Sequence, residues 1–482
     1  MVLLNKEQLK ERARTLVHIP GHLQPVIEEY FEWGNGEGEA MFSWADEQQD
    51  EGISITLDLT GNLTSLSIEQ DTIATDHHAL TERELKEIAE HFLCSHYPDS
   101  LQSLTHYKTK KLTTKAFRFY YEQIVMDLPL PNAGCFIDIG PSGEIVNFKY
   151  FGLQPEPIIP EALIAKEKLI EHVSNRLDFQ LTITNLNSSI HDVAEDGLRL
   201  LYDVELFMRY KAGVAEPTLT IIHEEDEDYP EKFVSLSPPP ERIQKEVSVE
   251  ELIGITQQME VIREADWGDE KGIVWREKDW KTEETGLSMD SFLLRHNEDT
   301  VKAFISKETG KLRRFMWFKE RGGDLSLSRE ECYQKAIDFL QMIIPNYDQY
   351  LQLAVQKDGD DGVDEPEMTE AFTFHIHNRH GVKVRLELVI VTVNRHSGQI
   401  DYYSGPSFDF EQLNSIPSEA VISQKEAHNI FLKSLDFELA WNKNIEDTHE
   451  NYILAYEACE RHKGTAIRYI DAITGAVITE KE

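Results

Sequence analysis

The chain has 482 residues, of which 40% are hydrophobic and 28% are charged. This apolar content excludes a wholly disordered chain, and the length indicates about two to four domains or a repeat array. The net charge of −39 makes nucleic acid and membrane surfaces poor partners, because both are anionic. A basic protein, a cationic peptide or a divalent metal ion matches this charge better, although solubility alone also explains it.

The N-terminal residues, the apolar stretches and the cysteines indicate the cellular compartment. The first residues, from Met1 to Glu7, are too polar for a signal peptide, and no stretch approaches the roughly 18 apolar residues of a membrane-spanning helix. The four cysteines lie far apart without a C-x-x-C motif, which is typical of reduced, buried thiols. We therefore expect a cytoplasmic protein that carries no cofactor.

Helix starts recur along the chain. Each consists of a capping residue followed by apolar residues at helical spacing. Most are capping boxes, in which the hydroxyl of the capping residue and the carboxylate three residues later each accept a hydrogen bond from the other residue's backbone N–H. Pro160 is assigned as a start because proline is tolerated in a helix's first turn. The interval between starts is roughly 80 residues, which indicates a repeat. The predicted starts are Asn5, Thr81, Pro160, Ser248, Ser328 and Ser423.

Hairpin turns recur with the same period. A hydroxyl residue and a glycine stand between strand-like runs, and glycine provides the positive φ that short hairpin loops need. One turn of the series is missing, and an altered turn is expected near Lys211–Gly213 or Glu224–Asp228. The predicted turns are Thr60-Gly61, Ser142-Gly143, Thr309-Gly310, Ser397-Gly398 and Thr474-Gly475.

The two signals together predict an α+β fold. It is a tandem array of about six modules, each with one helix packed on a three- to four-stranded antiparallel sheet that buries the helix's apolar stripe. The proline run Pro238-Pro239-Pro240 interrupts the array, since it fits neither a helix nor a central strand. We therefore predict two blocks of three modules, residues 1–240 and 241–482.

Two segments resemble known families. The motif Asp471-Ala472-Ile473-Thr474-Gly475 resembles the hairpin that closes PepSY modules, which occur in propeptides of secreted metallopeptidases and in bacterial envelope proteins. The segment 117–145, with Leu128-Pro129-Leu130 and Ser142-Gly143-Glu144-Ile145, is similar to the YcdB/YcdC repeat family of Bacillus-type bacteria, which is related to PepSY. Asp127 stands where that family usually has glycine. The resemblance implies PepSY-like modules that inhibit peptidases or bind other proteins.

Linear catalytic motifs are absent from the sequence. There is no H-E-x-x-H, no phosphate-binding G-x-x-x-x-G-K-[ST] and no G-x-S-x-G. The histidines His375, His377 and His380 are the candidate metal ligands, because the first two share one face of a predicted strand. The alternative is a polar outer strand face, which the neighbouring Arg379 favours. The acidic stretch Asp358–Glu367 offers oxygen ligands for Ca²⁺ but does not fit an EF-hand, which favours a solvated loop.

A group of tryptophans is the candidate binding patch. Trp267, Trp275 and Trp280 lie in a predicted strand pair, where indoles on one face would form an apolar surface. Packing of these rings in a core is the alternative.

These patterns favour a non-enzymatic protein that binds a protein or peptide, with a basic partner or a peptidase as candidates and its oligomeric state open. A hydrolase or metal-binding protein with a site between modules is the alternative, because such sites need no linear motif.

Overall fold

The fold is described from a computed structural model of the chain. The structure describes residues 3–34, 36–47, 51–69, 79–204, 208–220, 232–239, 247–282, 285–355, 368–444 and 452–481. In this part of the chain no helix is long and apolar enough to cross a membrane.

The helices begin largely where the capping residues predict. Asn5, Thr81, Ser328 and Ser423 each form a reciprocal capping box, and the Ser248 side chain accepts a hydrogen bond from the Glu251 backbone. The helices are α1 (Lys6–Leu16), α2 (Glu82–His96), α3 (Ser100–Ser103), α4 (Lys166–Arg176), α5 (Val249–Ile253), α6 (Met289–Asn297), α7 (Arg329–Ile343) and α8 (Gln424–Ser434).

The assignment of a helix start at Pro160 is wrong. Helix α4 begins at Lys166, and the residue before it, Ala165, is extended and makes no side-chain capping hydrogen bond. The backbone N–H of Ile164 donates to the carbonyl of Ala212, which holds the incoming segment extended. The helix can therefore begin only after this attachment.

The strands of the described residues form three sheets. They are β1 (Gln24–Gly34), β2 (Glu37–Ala45), β3 (Gly52–Asp58), β4 (Leu63–Glu69), β5 (Thr105–Lys111), β6 (Phe117–Val125), β7 (Leu128–Ile139), β8 (Ile145–Gly152), β9 (Gln180–Leu186), β10 (Gly197–Asp203), β11 (Arg209–Lys211), β12 (Lys232–Ser235), β13 (Met259–Trp267), β14 (Glu270–Glu277), β15 (Val301–Ser306), β16 (Leu312–Trp317), β17 (Leu351–Val355), β18 (Thr369–His377), β19 (Lys383–Asn394), β20 (Ile400–Ser404), β21 (Leu435–Lys443), β22 (Tyr452–Glu460), β23 (Ile467–Asp471) and β24 (Val477–Thr479).

The chain divides into two compact units. The first contains Met1–Ala162, Thr282–His296 and Leu439–Ala455, and the second contains Leu163–Lys281, Asn297–Glu438 and Tyr456–Glu482. The division into blocks 1–240 and 241–482 stays a prediction.

An eight-stranded antiparallel sheet forms the first unit, in the order β1-β2-β3-β4-β8-β7-β6-β5. It consists of two four-stranded meanders, each preceded by a helix, that join where β4 pairs with β8. The small sheets that we predicted as separate are thus fused, because pairing of two edge strands satisfies backbone groups that would otherwise be exposed.

One face of this sheet carries the core of the first unit. Strand β3 alternates buried and partly exposed residues, as an antiparallel strand with one covered face should. Side chains of α1 and α2 pack against it in a single cluster that includes Leu9, Leu93, Phe119 and Phe148. Each fully buried side chain of this kind contributes about 1.5–3 kcal/mol, so the helices are fixed by their apolar stripes.

The second unit repeats this strand order. Strands β13-β14-β15-β16 join β20-β19-β18-β17 through the antiparallel pair β16–β20. The long strand β19 also pairs in parallel with β9, which extends the sheet through β10, β23 and β24, and β12 is added beside β17. A three-stranded sheet has the order β11-β22-β21. The predicted α+β class with mostly antiparallel sheets is confirmed.

All five predicted hairpin glycines have positive φ: 89° at Gly61, 97° at Gly143, 66° at Gly310, 69° at Gly398 and 75° at Gly475. Buried polar side chains close several of these turns. The Asp471 carboxylate, for example, accepts hydrogen bonds from the backbone N–H groups of Ile473 and Thr474. The hairpin at Asp127 also forms, with Met126 and Asp127 at φ 56° and 61°, so aspartate adopts the left-handed conformation expected of the family's glycine.

The helix starts and hairpin turns share one period because they are attached to each other. In five cases within the described ranges, the residue before the helix's capping residue donates its backbone N–H to a carbonyl of a hairpin turn. We call this contact the helix–hairpin junction. The donor–acceptor pairs are Leu4–Leu59, Leu80–Pro141, Ile164–Ala212, Leu327–Arg395 and Ile422–Ala472. The third pair uses the altered turn near Lys211–Gly213. This turn therefore takes the place of the missing member in the series of hairpin turns.

Candidate functional site

The three predicted tryptophans do not share a surface. Trp275 is buried at 3% exposure, whereas Trp267 is 62% exposed. In the β13–β14 pairing Trp267 lies opposite Glu270, and paired residues share a sheet face. Glu270 and Trp275 are an odd number of residues apart on the same strand, so they lie on different faces. The indoles of Trp267 and Trp275 are therefore on opposite faces of the sheet. The Trp280 ring instead stacks under the Arg276 guanidinium at 3.7 Å. The structure therefore does not bring the three indoles together.

The three predicted histidines are not gathered around a metal site either. His375 and His377 do share a face of β18, since the buried Phe374 and Ile376 alternate with them. The His375 ring, however, packs edge-on against Phe233, and burial together with the charge of Lys383 lowers its pKa. His377 Nδ1 lies 2.6 Å from its neighbour's carbonyl oxygen. No group of three metal-ligating side chains occurs among the described residues, and the acidic stretch Asp358–Glu367 lies outside them.

A cleft of about 390 Å³ in the second unit is the candidate site. It lies beside the turn Thr309-Gly310, where the series of junctions is interrupted. No backbone hydrogen bond from Val247 to this turn is found in the described part of the chain. A Cβ added at Gly310 meets nothing within 4 Å, whereas one at Gly475 would meet Ile430 of α8. The cleft thus occupies space that a docked helix covers elsewhere.

Helix α5 leaves this space because it is short. It has 5 residues, whereas α7 has 15 and α8 has 11. Gly254 ends it in the left-handed conformation, at φ 83°. The indole N–H of Trp317 donates to the Ile253 carbonyl and holds this end in place. The cleft lies between this short helix and the neighbouring elements.

Three further segments complete the cleft. Helix α7 ends beside it, where Pro345 prevents continuation. After β20 the chain passes close to β16, and the backbone N–H of Gly405 donates to the Arg313 carbonyl. Most of the residues that line the cleft have apolar or aromatic side chains, and polar and charged residues complete its walls. The apolar and aromatic residues include Leu252, Met342, Ile344, Tyr350, Tyr403, Phe408 and Phe410.

The charged groups at the cleft are paired. Arg313 is only 14% exposed on its side chain and lies 3.1 Å from an Asp409 carboxylate oxygen. Its guanidinium also donates to the Phe408 carbonyl at 2.7 Å. Lys311 Nζ lies 3.4 Å from Glu411 Oε2. The rim is therefore locally neutral although the protein is strongly acidic.

The described lining of the cleft presents few nucleophilic or proton-transferring side chains. Its described residues include no histidine, cysteine or serine. Tyr403 is enclosed, and burial raises its pKa far above the ordinary value, so its hydroxyl stays neutral. Asp409 and Glu411 are held in ion pairs with Arg313 and Lys311.

Sequence reasoning missed this cleft because its walls come from four distant segments. Two signals point to it in retrospect. Gly254 follows the cap Ser248 closely, which indicates a short helix. The interval from Ser328 to Ser423 is the longest between helix starts, and its extra residues include the wall around Phe408 and Phe410.

The described residues define an α+β protein in which one eight-strand arrangement occurs twice, with a cleft beside the second. A family model described as "YcdB, YcdC repeated domain" matches residues 6–152 and 242–407, which contain these two arrangements. The matches cover more than half of the chain, so the chain belongs to the YcdB/YcdC family.

Two relatives match nearly the whole chain. "Uncharacterized protein YcdB" of Bacillus subtilis (strain 168) is 32% identical over 477 residues, which covers 98% of this chain and 97% of that protein. "Uncharacterized protein YcdC" of the same organism is 29% identical over 447 residues, which covers 92% and 93%. The solved Bacillus megaterium YpeB C-terminal domain is 14% identical and covers 42% of this chain and 89% of that chain, but its TM-score of 0.26 supports no conclusion.

Proposed function

We propose that this protein is a non-enzymatic peptide- or protein-binding protein, and that its cleft receives apolar side chains of the partner. The observation that carries the proposal is the cleft itself, which lies where the junction between helix and hairpin is interrupted. Departures from an otherwise consistent pattern are where function is expected, because regular packing has been given up there.

The size and lining of the cleft fit this role. Its volume of about 390 Å³ lies at the lower end of the range for ligand pockets, roughly 300–1,000 Å³. The aromatic rings stand close together, with the Tyr350 and Phe410 centroids 5.6 Å apart. One or two apolar side chains can be buried against the parts of Phe410 and Met342 that remain exposed, while the Arg313–Asp409 pair leaves polar groups at the rim to meet a peptide backbone.

The wider architecture that we propose is an array of about six PepSY-like modules in a cytoplasmic protein. The five junctions support it, since a helix start and a hairpin turn recur as one attached pair. The PepSY resemblance adds peptidases to the classes of partner worth testing. No observation among the described residues favours the hydrolase or metal-binding alternative.

The test uses acetylated and amidated peptides of glycine and serine that carry Leu-Phe, Glu-Glu or Lys-Lys at their centre. Calorimetric titration against the whole protein is expected to show binding of the Leu-Phe peptide and much weaker binding of the other two. Met342 lies at the cleft and is exposed, so Met342→Asp should fold normally and weaken binding at least about tenfold by placing a charge against the apolar wall.

Met368→Asp is the matched control, because Met368 is exposed but does not line the cleft. It should leave the affinity for the Leu-Phe peptide unchanged. The proposal is wrong if no apolar peptide binds, or if both variants lose affinity equally.

A further inference from the structure

The two eight-strand arrangements end in strands at equivalent positions. Strand β5 follows α2 and the short helix α3, and β17 follows α7 and a 3-10 helix, Tyr347–Gln349. Each is the outermost strand of its four-stranded meander. The two edges can therefore be compared directly.

The β17 edge is covered by another part of the same chain. Strand β12 pairs with it antiparallel, with Phe233 opposite Ala354 and Val234 opposite Leu353. The Phe233 ring is held between His375 and the Lys383 ammonium, which lies 4.0 Å from the ring centroid. Strand β12 lies outside the second match to the repeated domain, which begins at residue 242. The β17 edge thus pairs with a strand that does not belong to the second eight-strand arrangement.

The β5 edge is open. Among the described residues β5 pairs only with β6, and most of its side chains are exposed, including Tyr107 at 51%. Its sequence, Thr-His-Tyr-Lys-Thr-Lys-Lys, differs from the apolar β17 in being basic. Among the described residues neither Lys108 nor Lys110 has a carboxylate oxygen within 4.0 Å, although Glu122 of β6 is near enough to Lys108 to interact with its charge. The chain as a whole has a net charge of −39.

We propose that β5 is a docking edge for an extended acidic segment of a partner protein, which adds to the sheet as a further antiparallel strand. Strand addition satisfies the outer backbone groups of an edge strand, as β12 does for β17. The lysines select the partner by charge, since edge lysines disfavour pairing with neutral or basic strands.

The pairing register of β5 with β6 determines at which positions of the partner's strand acidic residues are expected. Lys108 lies opposite Tyr120 and Lys110 opposite Arg118, so both lysines point to the sheet face away from α2. Arg118 on this face is already held by Asp138 through two hydrogen bonds, at 2.6 and 2.7 Å. The two lysines are then the cations that an added strand meets, and acids at alternate positions of that strand lie beside them.

The test measures fluorescence anisotropy of a labelled peptide in which glutamate alternates with valine or threonine, with the whole protein as receptor. Binding is expected to weaken as ionic strength rises. Lys108→Glu/Lys110→Glu should reduce the affinity at least about tenfold and create binding of the peptide with lysine in place of glutamate. Lys425→Glu/Lys433→Glu, on exposed residues of α8, is the matched control and should leave binding unchanged.

Backbone methylation separates strand addition from simple charge attraction. Only alternate amides of an edge-paired peptide point to β5, so N-methylation of one set should abolish binding and methylation of the other should not. Equal effects of both sets, or no binding of the acidic peptide, would overturn the proposal. Self-association of the protein that Lys108→Glu/Lys110→Glu abolishes would also overturn it, because a second copy would then be the occupant.

Discussion

The start of α8 and the start of α5 show what a helix–hairpin junction does. At α8 the Ile422 backbone is bonded to the turn before Gly475, and the Ile430 and Ile422 side chains cover that glycine. At α5 the equivalent glycine, Gly310, is uncovered and lines the cleft. Both helices begin with a serine cap, so the cap alone is not sufficient to form a helix–hairpin junction.

The difference lies in the length of the apolar stripe. A helix of 11 residues presents three turns to the sheet, whereas the 5 residues of α5 present little more than one. Tertiary packing supplies most of a helix's stability, and the shorter helix has less surface to pack on its hairpin, where Gly310 stays uncovered. We interpret the cleft beside Gly310 as the binding surface.

The largest expected effect comes from valine at the hairpin glycines. Gly143→Val and Gly310→Val both place a side chain at positive φ, which costs about 1–2 kcal/mol. At Gly143 the added atoms also meet Ile88 and Leu80 at 2.9 and 3.0 Å, and displacing them costs about 1–3 kcal/mol more. Urea unfolding should show this difference, and equal losses would break the comparison between covered and uncovered turns.

A smaller difference is expected at the caps. Ser423→Ala removes the acceptor for the Glu426 backbone N–H and should lower the free energy of unfolding by about 1 kcal/mol. Ser248→Ala should cost only a few tenths of a kcal/mol, because few residues of α5 depend on the cap. Thermal denaturation of both variants checks this, and a larger loss at Ser248 would show that α5 is fixed more firmly than its length suggests.

The stability of the hairpin at Asp127 should increase when its two turn residues are replaced. Met126→Asn/Asp127→Gly replaces two left-handed residues by the pair preferred in two-residue hairpin loops and should stabilise by about 0.5–1 kcal/mol. The Leu-Phe peptide should bind this variant with unchanged affinity. A loss of stability would contradict the conformation assigned to this turn.

The α7 cap should depend on pH. Hydrogen bonds from the Ser328 backbone and hydroxyl lower the pKa of Glu331 below its ordinary value. The stabilisation is therefore present above the unfolded-state pKa of about 4.3 and is lost as the pH falls through the lower, folded-state pKa. Ser328→Ala should consequently destabilise the protein more at pH 7 than at pH 3, and an equal loss at both would contradict the reciprocal cap.

Local features of the fold could be predicted from the sequence. Capping residues and hairpin glycines act through neighbouring backbone atoms, so Thr81 and Gly143 could be assigned directly. The pairing of β4 with β8, and of β9 with β19, could not, because edge strands are joined by backbone groups that every sequence carries. The relative placement of the tryptophans could not be predicted either, because a turn of two residues sets Trp267 and Trp275 on opposite faces of the sheet.

Hydrogen exchange in the presence of the Leu-Phe peptide tests the central claim most directly. If the cleft is the binding site, the peptide should slow exchange at residues 310–313, 342–350 and 403–411, and Met342→Asp should remove this protection. Protection confined to other parts of the chain, or unchanged by Met342→Asp, would contradict the assignment of the cleft as the site.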